Sequence, residues 1–267
     1  MKKTNDLSLI RELLKELHLP AIRDNFEQKV VEALAEQSDY QTFLRELLEL
    51  ECTQRREKSI VRRLRESNLP LEKNFDTFDL ARLGRKLVHQ VTVLREGTFL
   101  DRRENVLAFG GPGGGKSHLF AALGQELVRS GRRAYFTSTS LLVQELLRAK
   151  AELRLDKQLK KLALFDVLII DDIGYVQQNR QEMEVLFTLL AARYERGSIM
   201  LTSNLPFSKW ESIFKDPMTT AAAIDRLVHH SVILELDVPS FRMEQAQNKN
   251  HKNPKGDNDA SSNQKQK

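Results

Sequence analysis

The sequence predicts an α/β protein whose parallel five-stranded sheet lies between helices, with an all-helical module in front of it. Two observations lead to this fold class. After residue 105, short β-type runs alternate with helical patterns, which is typical of a parallel sheet covered by helices. Before that point, residues 1–70 contain no glycine and repeat their apolar residues at helical spacing.

The N-terminal module, residues 1–70, divides into three predicted helices. The first ends before Pro20, and the second covers about residues 21–37. The third begins after Ser38-Asp39, because both residue types favour the N-cap position. The single cysteine, Cys52, excludes an internal disulfide and a cysteine-based zinc site, and we expect it to pack between helices.

Residues 71–244 are predicted to form the α/β core, beginning with a connector at 71–104 that carries a helix near 80–96. The β-type runs are Asn105–Phe109, Arg133–Thr137, Asp166–Ile170, Ser198–Thr202 and Ser231–Leu236. The helical patterns between them cover residues 117–129, 140–163, 181–195 and 218–229. Residues 245–267 are polar and predicted to be disordered, because they offer too little apolar surface to offset the entropy of ordering.

The overall charge of the chain says little about its partners. The formal net charge is +5 over 267 residues, but residues 1–70 carry thirteen acidic and thirteen basic residues, and the polar tail holds a surplus of three lysines. No stretch approaches the roughly 20 apolar residues of a membrane helix, and the first residues lack the apolar region of a secretory signal. We therefore expect a cytoplasmic protein with no membrane partner.

A phosphate-binding loop follows the first β-type run. Gly110 to Ser117 matches the pattern G-x-x-x-x-G-K-[ST], with an apolar run before it and an apolar helix after it. Glycines allow backbone N–H groups to approach phosphates, Lys116 can reach the β and γ phosphates, and the Ser117 hydroxyl can hold Mg²⁺. The predicted nucleotide-binding residues are Gly110, Gly111, Pro112, Gly113, Gly114, Gly115, Lys116, Ser117 and His118.

Two further β-type runs end in polar residues suited to the same site. Asp171 and Asp172 end an apolar run; we expect Asp171 to bind Mg²⁺ and Asp172 to position or deprotonate the attacking water. Asn204 follows another run and either contacts the γ-phosphate and the water or simply favours the turn before Pro206.

Taken in this order, the motifs resemble those of AAA+ ATPases. A closer similarity, over residues 7–243, is to the IstB family, the ATP-binding helpers of insertion-sequence transposition, which are themselves similar to the DnaC helicase loader. The more specific segments are Leu201-Thr-Ser-Asn-Leu-Pro-Phe-Ser-Lys-Trp210 and Ile224-Asp-Arg-Leu-Val-His-His230. Further matching segments are residues 19–27, 108–119, 168–175 and 193–196.

The resemblance implies an ATPase that oligomerises on duplex DNA and stimulates a partner transposase. It gives Asn204 the sensor-1 role and Arg226 the role of an arginine finger acting on a neighbouring subunit, the alternative for Arg226 being a surface ion pair. One departure is that a full C-terminal helical lid does not fit before residue 245, so Arg242 is the only candidate for the sensor-2 arginine. Phe75 and Phe78 lie either near the adenine or in the core.

A basic cluster near the end of the third helix is the predicted DNA contact, because such a stripe can follow phosphates without reading bases. A solvated face, a neighbouring ATPase subunit and the transposase are the other possible roles. The cluster consists of Arg55, Arg56, Lys58, Arg62, Arg63 and Arg65.

Three rival functions share the phosphate loop. A replicative helicase loader would have the same fold but a different partner. A small-molecule kinase would need a substrate pocket and a lid, and would not need Arg226 in trans. An ATP-gated scaffold would bind ATP and barely hydrolyse it.

Overall fold

A computed structural model describes residues 2–174, 180–210 and 217–240. It confirms the predicted fold class, an α/β core with a parallel five-stranded sheet. The described residues divide into two compact units, one ending at Glu66 and the other beginning at Ser67, whereas the sequence suggested a boundary at residue 70. Over the described ranges, every helix is too short or too polar to cross a bilayer.

The first unit consists of three helices, α1 (Lys2–Glu16), α2 (Pro20–Ala35) and α3 (Tyr40–Glu66). Proline starts α2, where its missing N–H removes no helical hydrogen bond. Asp39 caps α3, since its Oδ1 accepts a hydrogen bond from the Thr42 amide at 2.8 Å. The three predicted helices are therefore present, with their breaks close to the expected residues.

The helical unit has a small interior with one buried carboxylate. Its buried apolar residues are Ala21, Ile22, Phe26 and Leu47, and Glu51 is only 3% exposed. Cys52 is exposed, so the prediction that it packs between helices was wrong. The helical pattern of α3 fixes Glu51 on the face toward α2, and the next residue falls on the outer face.

The second unit contains all five strands and seven α-helices of its described residues. The helices are α4 (Arg85–Arg95), α5 (Thr98–Asp101), α6 (Lys116–Arg129), α7 (Thr139–Ala151), α8 (Leu155–Ala163), α9 (Arg180–Arg193) and α10 (Pro217–Val228). The strands are β1 (Asn105–Gly110), β2 (Ala134–Ser138), β3 (Val167–Ile173), β4 (Ser198–Ser203) and β5 (Ser231–Leu236). Short 3₁₀ turns occur at Leu80–Arg82 and Phe207–Lys209.

The strands are all parallel, in the order β2-β3-β4-β1-β5. Helices cover the sheet, and the central strands are accordingly apolar: Val106, Ile169 and Met200 are fully buried. Because the strands run in the same direction, the residues that follow β1, β3 and β4 meet at one edge. The phosphate loop, Asp171-Asp172 and Asn204 lie at that edge.

Two predicted helices are each divided in the structure. The pattern at 140–163 forms α7 and α8, because Leu153 takes a left-handed conformation (φ 56°) and the Arg154 amide closes back onto the Ala149 carbonyl at 2.7 Å. The pattern near 80–96 forms a 3₁₀ turn and α4, separated by extended backbone at Leu83. Apolar periodicity continued across both breaks, so it could not locate them.

Beyond β5, residues 237–240 run next to the phosphate loop, and Val238 borders the same cavity as that loop. Arg82 donates a hydrogen bond to the Pro239 carbonyl at 2.9 Å. The predicted sensor-2 candidate Arg242, the predicted absence of a lid and the predicted disorder of 245–267 fall outside the described residues.

Candidate nucleotide-binding site

A cavity of about 490 Å³ lies at the carboxyl edge of the sheet. Four parts of the second unit line it: the phosphate loop, the residues that end β3 and β4, the connector before α4, and Val238 after β5. The loop contributes Pro112, Gly113, Gly114, Gly115, Lys116, Ser117 and His118, and the strand ends contribute Asp172, Thr202 and Asn204. The connector contributes Lys73, Thr77, Phe78, Asp79, Arg82 and Leu83.

The loop conformation depends on glycine where it leads into α6. Gly115 has φ +88°, and a Cβ there would lie 3.1 Å from the Phe78 ring. At the other end of the loop, a Cβ on Gly110 would lie 2.3 Å from the Leu236 carbonyl oxygen of β5. The loop therefore follows a path that side chains would block, and the N-terminus of α6 points its free amides toward the cavity.

Lys116 is buried, and its ammonium group lies among oxygen atoms. It donates to the carbonyl oxygens of Gly110 at 2.8 Å and Gly111 at 2.9 Å, and to Asn204 Oδ1 at 2.6 Å. Gly110 and Gly111 thus contact the lysine through their backbone oxygens. This arrangement holds a positive charge at the floor of the cavity, where phosphate oxygens would need it.

Asn204 connects this lysine to an acidic residue. Its Nδ2 donates to Asp172 Oδ1 at 3.1 Å, so Lys116, Asn204 and Asp172 form one hydrogen-bonded series. Burial raises the pKa of the Asp172 carboxyl, the charge of Asp171 raises it further, and Lys116 opposes the shift. The Asp172 backbone is left-handed (φ 65°), which turns this residue toward the cavity instead of continuing the strand alternation.

Asp171 is held by a different partner, the Thr202 hydroxyl, which donates to its Oδ1 at 2.6 Å. The same hydroxyl accepts the Asp172 amide at 2.7 Å. Thr202 therefore orients both acidic residues. Thr202 and Asp172 border the cavity, while Asp171 is not among the described residues that line it.

The donor set at this edge fits a magnesium–nucleotide complex. Ser117 supplies a hydroxyl, Asp171 keeps a second carboxylate oxygen, and Mg²⁺ binds through one or two carboxylates together with substrate phosphates and water. Backbone amides at the start of α6 and the Lys116 ammonium suit the phosphates.

The connector wall is the part of the site that sequence reasoning largely missed. Phe78 borders the cavity, which favours the nucleotide alternative over the core one, and its ring lies 5.1 Å from that of His118. Phe75 instead packs under Arg95, whose guanidinium carbon lies 4.5 Å from the ring centre. His118 Nε2 lies 3.2 Å from Thr77 Oγ1. In the sequence, Phe75 and Phe78 were the only indication that the connector borders the nucleotide site, because its other lining residues belong to a segment without a motif.

Arg226 lies at the opposite edge of the sheet. The Asn105 side chain, at the start of β1, donates to the Arg226 carbonyl at 3.4 Å and to the Leu227 carbonyl at 3.0 Å. Six residues of β1 separate this edge from the phosphate loop, about 17 Å at the usual rise of a strand. The guanidinium stacks over the Phe187 ring at 4.6 Å and donates to the Ala222 carbonyl. Arg226 therefore does not reach the cavity of its own chain.

The basic cluster on α3 is not uniform. Arg55 pairs with the buried Glu51 at 2.8 Å and also donates to the His18 carbonyl, so it holds the helical unit together. The Lys58 ammonium donates a hydrogen bond to the side-chain oxygen of Gln54. The guanidinium of Arg62 lies 4.0 Å from the carboxylate of Glu66. Arg56 and Arg65 are exposed and make no ion pair with any described residue. Arg63 is half-buried.

The chain is similar in sequence to a family of known proteins. The family described as IstB-like ATP binding protein matches residues 12–249. An insertion-sequence ATP-binding protein of Sinorhizobium fredii is 42% identical over 244 residues, covering 91% of this chain and 82% of that protein. The ATP-binding protein of insertion sequence IS21 from Pseudomonas aeruginosa is 37% identical over 236 residues, covering 87% and 88%.

Solved structures agree on the fold. The DnaC helicase loader superposes with a TM-score of 0.53 at 20% identity, over 61% of this chain and 96% of that one. AMPPCP-bound DnaA from Aquifex aeolicus superposes with a TM-score of 0.55 at 17% identity, over 70% of this chain and 57% of that one. At this identity the likeness concerns the AAA+ fold alone. With its phosphate loop, its sheet order and its match over residues 12–249, the chain belongs to the family of IstB-like ATP-binding proteins.

Proposed function

We propose that this protein is an ATP-dependent DNA-binding helper of insertion-sequence transposition. It oligomerises on duplex target DNA, hydrolyses ATP to ADP and phosphate as a switch, and recruits and stimulates the transposase of the same insertion sequence. A cytoplasmic location is part of this proposal. The observation that carries it is the series Lys116–Asn204–Asp172 in the cavity of a chain whose relatives are insertion-sequence ATP-binding proteins.

Nucleotide binding uses the loop and the connector. Lys116 exchanges its contacts to Gly110 and Gly111 for phosphate oxygens, while the amides at the start of α6 hold the β-phosphate. Ser117 and Asp171 hold Mg²⁺, which when bound neutralises charge on the phosphates. Phe78 offers an aromatic face to the adenine.

Hydrolysis depends on Asp172. Asn204 fixes its carboxylate by a hydrogen bond at 3.1 Å, and the carboxylate accepts the proton of the water that attacks the γ-phosphate. Its raised pKa makes it a stronger base than an exposed aspartate. Because Asn204 also contacts Lys116, the γ-phosphate and the base share one positioning residue.

Arg226 acts on the site of a neighbouring subunit. Its place at the far edge of the sheet prevents it from reaching its own cavity, and AAA+ assembly would present that edge to the next protomer. The guanidinium neutralises charge that develops on the γ-phosphate, an effect of about 10³–10⁵ in rate. ATP hydrolysis is thereby tied to assembly.

The C-terminal half of α3 contacts duplex DNA. Arg56, Lys58, Arg62, Arg63 and Arg65 follow backbone phosphates, and Arg55 serves mainly as a brace within the helical unit. Such contacts carry no base information, so target choice would rest on duplex shape or on the transposase.

The test is to measure ATPase rate and particle mass with ATP or ADP, each with and without duplex DNA. We expect ATP and duplex together to raise both quantities, and ADP to leave the particles small. The matched control is Lys116→Ala, which should remain small in every condition. A wild-type chain that stays monomeric throughout, with an ATPase rate indifferent to DNA, would contradict the proposal.

The likeness of the fold to the DnaC helicase loader supports one alternative, the loading of a replicative helicase. The two functions differ in partner. Adding purified transposase should raise transposition into target DNA in vitro only in the presence of this protein and ATP. Stimulation of helicase loading, without any effect on the transposase, would favour the loader.

A further inference from the structure

A cluster of metal-ligand side chains lies at the amino edge of the sheet, away from the nucleotide cavity. Glu195 follows α9, and His229 and His230 form the turn between α10 and β5. One ligand atom from each of the three side chains lies within 4.8 Å of the other two. All three residues are exposed, so an ion from solvent can reach them.

We propose that Glu195, His229 and His230 form a binding site for a zinc ion. Two imidazoles and one carboxylate are ligands that Zn²⁺ accepts at about 2.0–2.2 Å, whereas Mg²⁺ and Ca²⁺ prefer oxygen alone. Tetrahedral bonds of that length place ligand atoms about 3.3 Å apart, so small side-chain rotations suffice to close the site. Three protein ligands leave the fourth position to water.

The surroundings also suit a metal-bound imidazole. Tyr194 Oη lies 3.0 Å from His229 Nδ1, which leaves Nε2 of that ring for the metal and fixes the ring orientation. Arg102, which lines the same pocket as Glu195 and His230, is paired with Glu104 at 2.8 Å. Arg226 lines the same pocket as Glu195 and His230, and its guanidinium is stacked on Phe187.

Binding would join two turns that are distant in sequence. Glu195 precedes β4 and the histidines precede β5, and these two strands flank β1 on either side. A metal there would tie the end of α10 to the end of α9. This inference concerns the residues of one chain and does not depend on the proposed function in transposition.

The test is a titration of the full chain with Zn²⁺ in competition with a chromophoric chelator. We expect one ion per chain. Loss of a direct ligand in His229→Ala, His230→Ala or Glu195→Gln should weaken binding at least as much as loss of an outer partner, about 10–100-fold. Tyr194→Phe, which removes only the orienting hydroxyl, should weaken it by about tenfold.

The matched control is His89→Ala, an exposed histidine on α4, which should bind zinc as the wild type does. Wild-type affinity in His230→Ala or Glu195→Gln would overturn the proposal, as would equal weakening in His89→Ala. If a histidine variant fails to fold, the conservative Glu195→Gln and Tyr194→Phe decide the matter.

A spectroscopic readout is available with Co²⁺ as the probe. Bound at a tetrahedral site with two imidazoles, it should give an intense visible absorption band that His229→Ala abolishes and excess Zn²⁺ displaces. A spectrum typical of the hydrated ion at saturating Co²⁺ would also overturn the proposal.

Discussion

The two units of the chain use charge in different ways. In the α/β unit, apolar strands are buried and polar residues collect where those strands end, so Lys116, Asp172 and Asn204 lie together without disturbing the core. In the helical unit few residues are buried, and one of them is the carboxylate of Glu51.

The difference shows what each unit depends on. The α/β unit has an interior large enough to hold a site at its edge. The helical unit leaves large apolar side chains exposed on every helix, among them Leu13, Leu34 and Leu44, and relies on an ion pair to join its parts. Charge in the first unit therefore serves chemistry, and the buried charge in the second serves stability.

The largest expected effect tests the role of Arg226, at the far edge of the sheet, in ATP hydrolysis. Arg226→Ala should lower ATP hydrolysis in the assembled state by about 10³–10⁵, with ATP affinity unchanged, because the arginine acts on a neighbour's phosphate. Arg196→Ala, an exposed arginine near the same edge, is the control and should hydrolyse ATP normally.

Mixing two inactive variants separates action in trans from action within one chain. Arg226→Ala supplies an intact loop and Lys116→Ala supplies an intact arginine, so mixed assemblies should regain part of the ATPase activity. No recovery at any mixing ratio, in assemblies shown to contain both chains, would contradict the trans role.

The next effect tests the structural use of charge in the helical unit. Glu51 accepts the amides of Ala21 at 2.8 Å and Ile22 at 3.2 Å, which caps α2, and pairs with Arg55. Glu51→Ala should lower the free energy of unfolding of this unit by about 2 kcal/mol, measured by urea denaturation. Glu49→Ala, which breaks only an exposed pair with Arg45, should cost less than about 0.5 kcal/mol.

The same carboxylate predicts a dependence on pH. Burial alone would raise the pKa of Glu51, but Arg55 and the two backbone amides lower it below its ordinary value. The stability contributed by Glu51 is thus present above the unfolded pKa of about 4.3 and is lost as pH falls through the lower folded value. Urea midpoints measured across this acid range should fall for the wild type and stay flatter for Glu51→Gln.

The smallest expected effect concerns DNA binding by the C-terminal half of α3. If Arg62 and Arg63 contact phosphates, replacing both with alanine should reduce the log–log salt slope of duplex binding by about one unit per lost contact. The control is the double variant Arg23→Ala with Arg45→Ala, which removes the same charge elsewhere in the helical unit. Its salt slope should stay close to that of the wild type. An equal slope in the two double variants would exclude a specific role for the C-terminal half of α3.

Much of the α/β unit could be predicted from the sequence because its signals are local. The phosphate loop is a contiguous motif, and each strand is a short apolar run that ends in a polar residue. The breaks at Leu153 and Leu83 were missed, since apolar periodicity continues across both.

Other features depend on contacts between residues far apart in sequence. The hydrogen-bonded series through Asn204 joins residues 88 positions apart, and the connector wall around Phe78 has no motif of its own. The different role of Arg55 within the basic cluster likewise required the fold. Glu51 and Arg55 are an i,i+4 pair within α3, but only the fold shows that Glu51 is buried against the α2 amides and that Arg55 also donates to the His18 carbonyl.

The most direct test of the site is single-turnover ATP hydrolysis by Asp172→Asn, with saturating ATP and duplex DNA. Loss of the carboxylate base should slow hydrolysis by about 10²–10⁴ while ATP affinity is retained and the assembly remains on DNA. Hydrolysis at the wild-type rate would show that Asp172 is not the base, and would contradict the role assigned to the series Lys116–Asn204–Asp172.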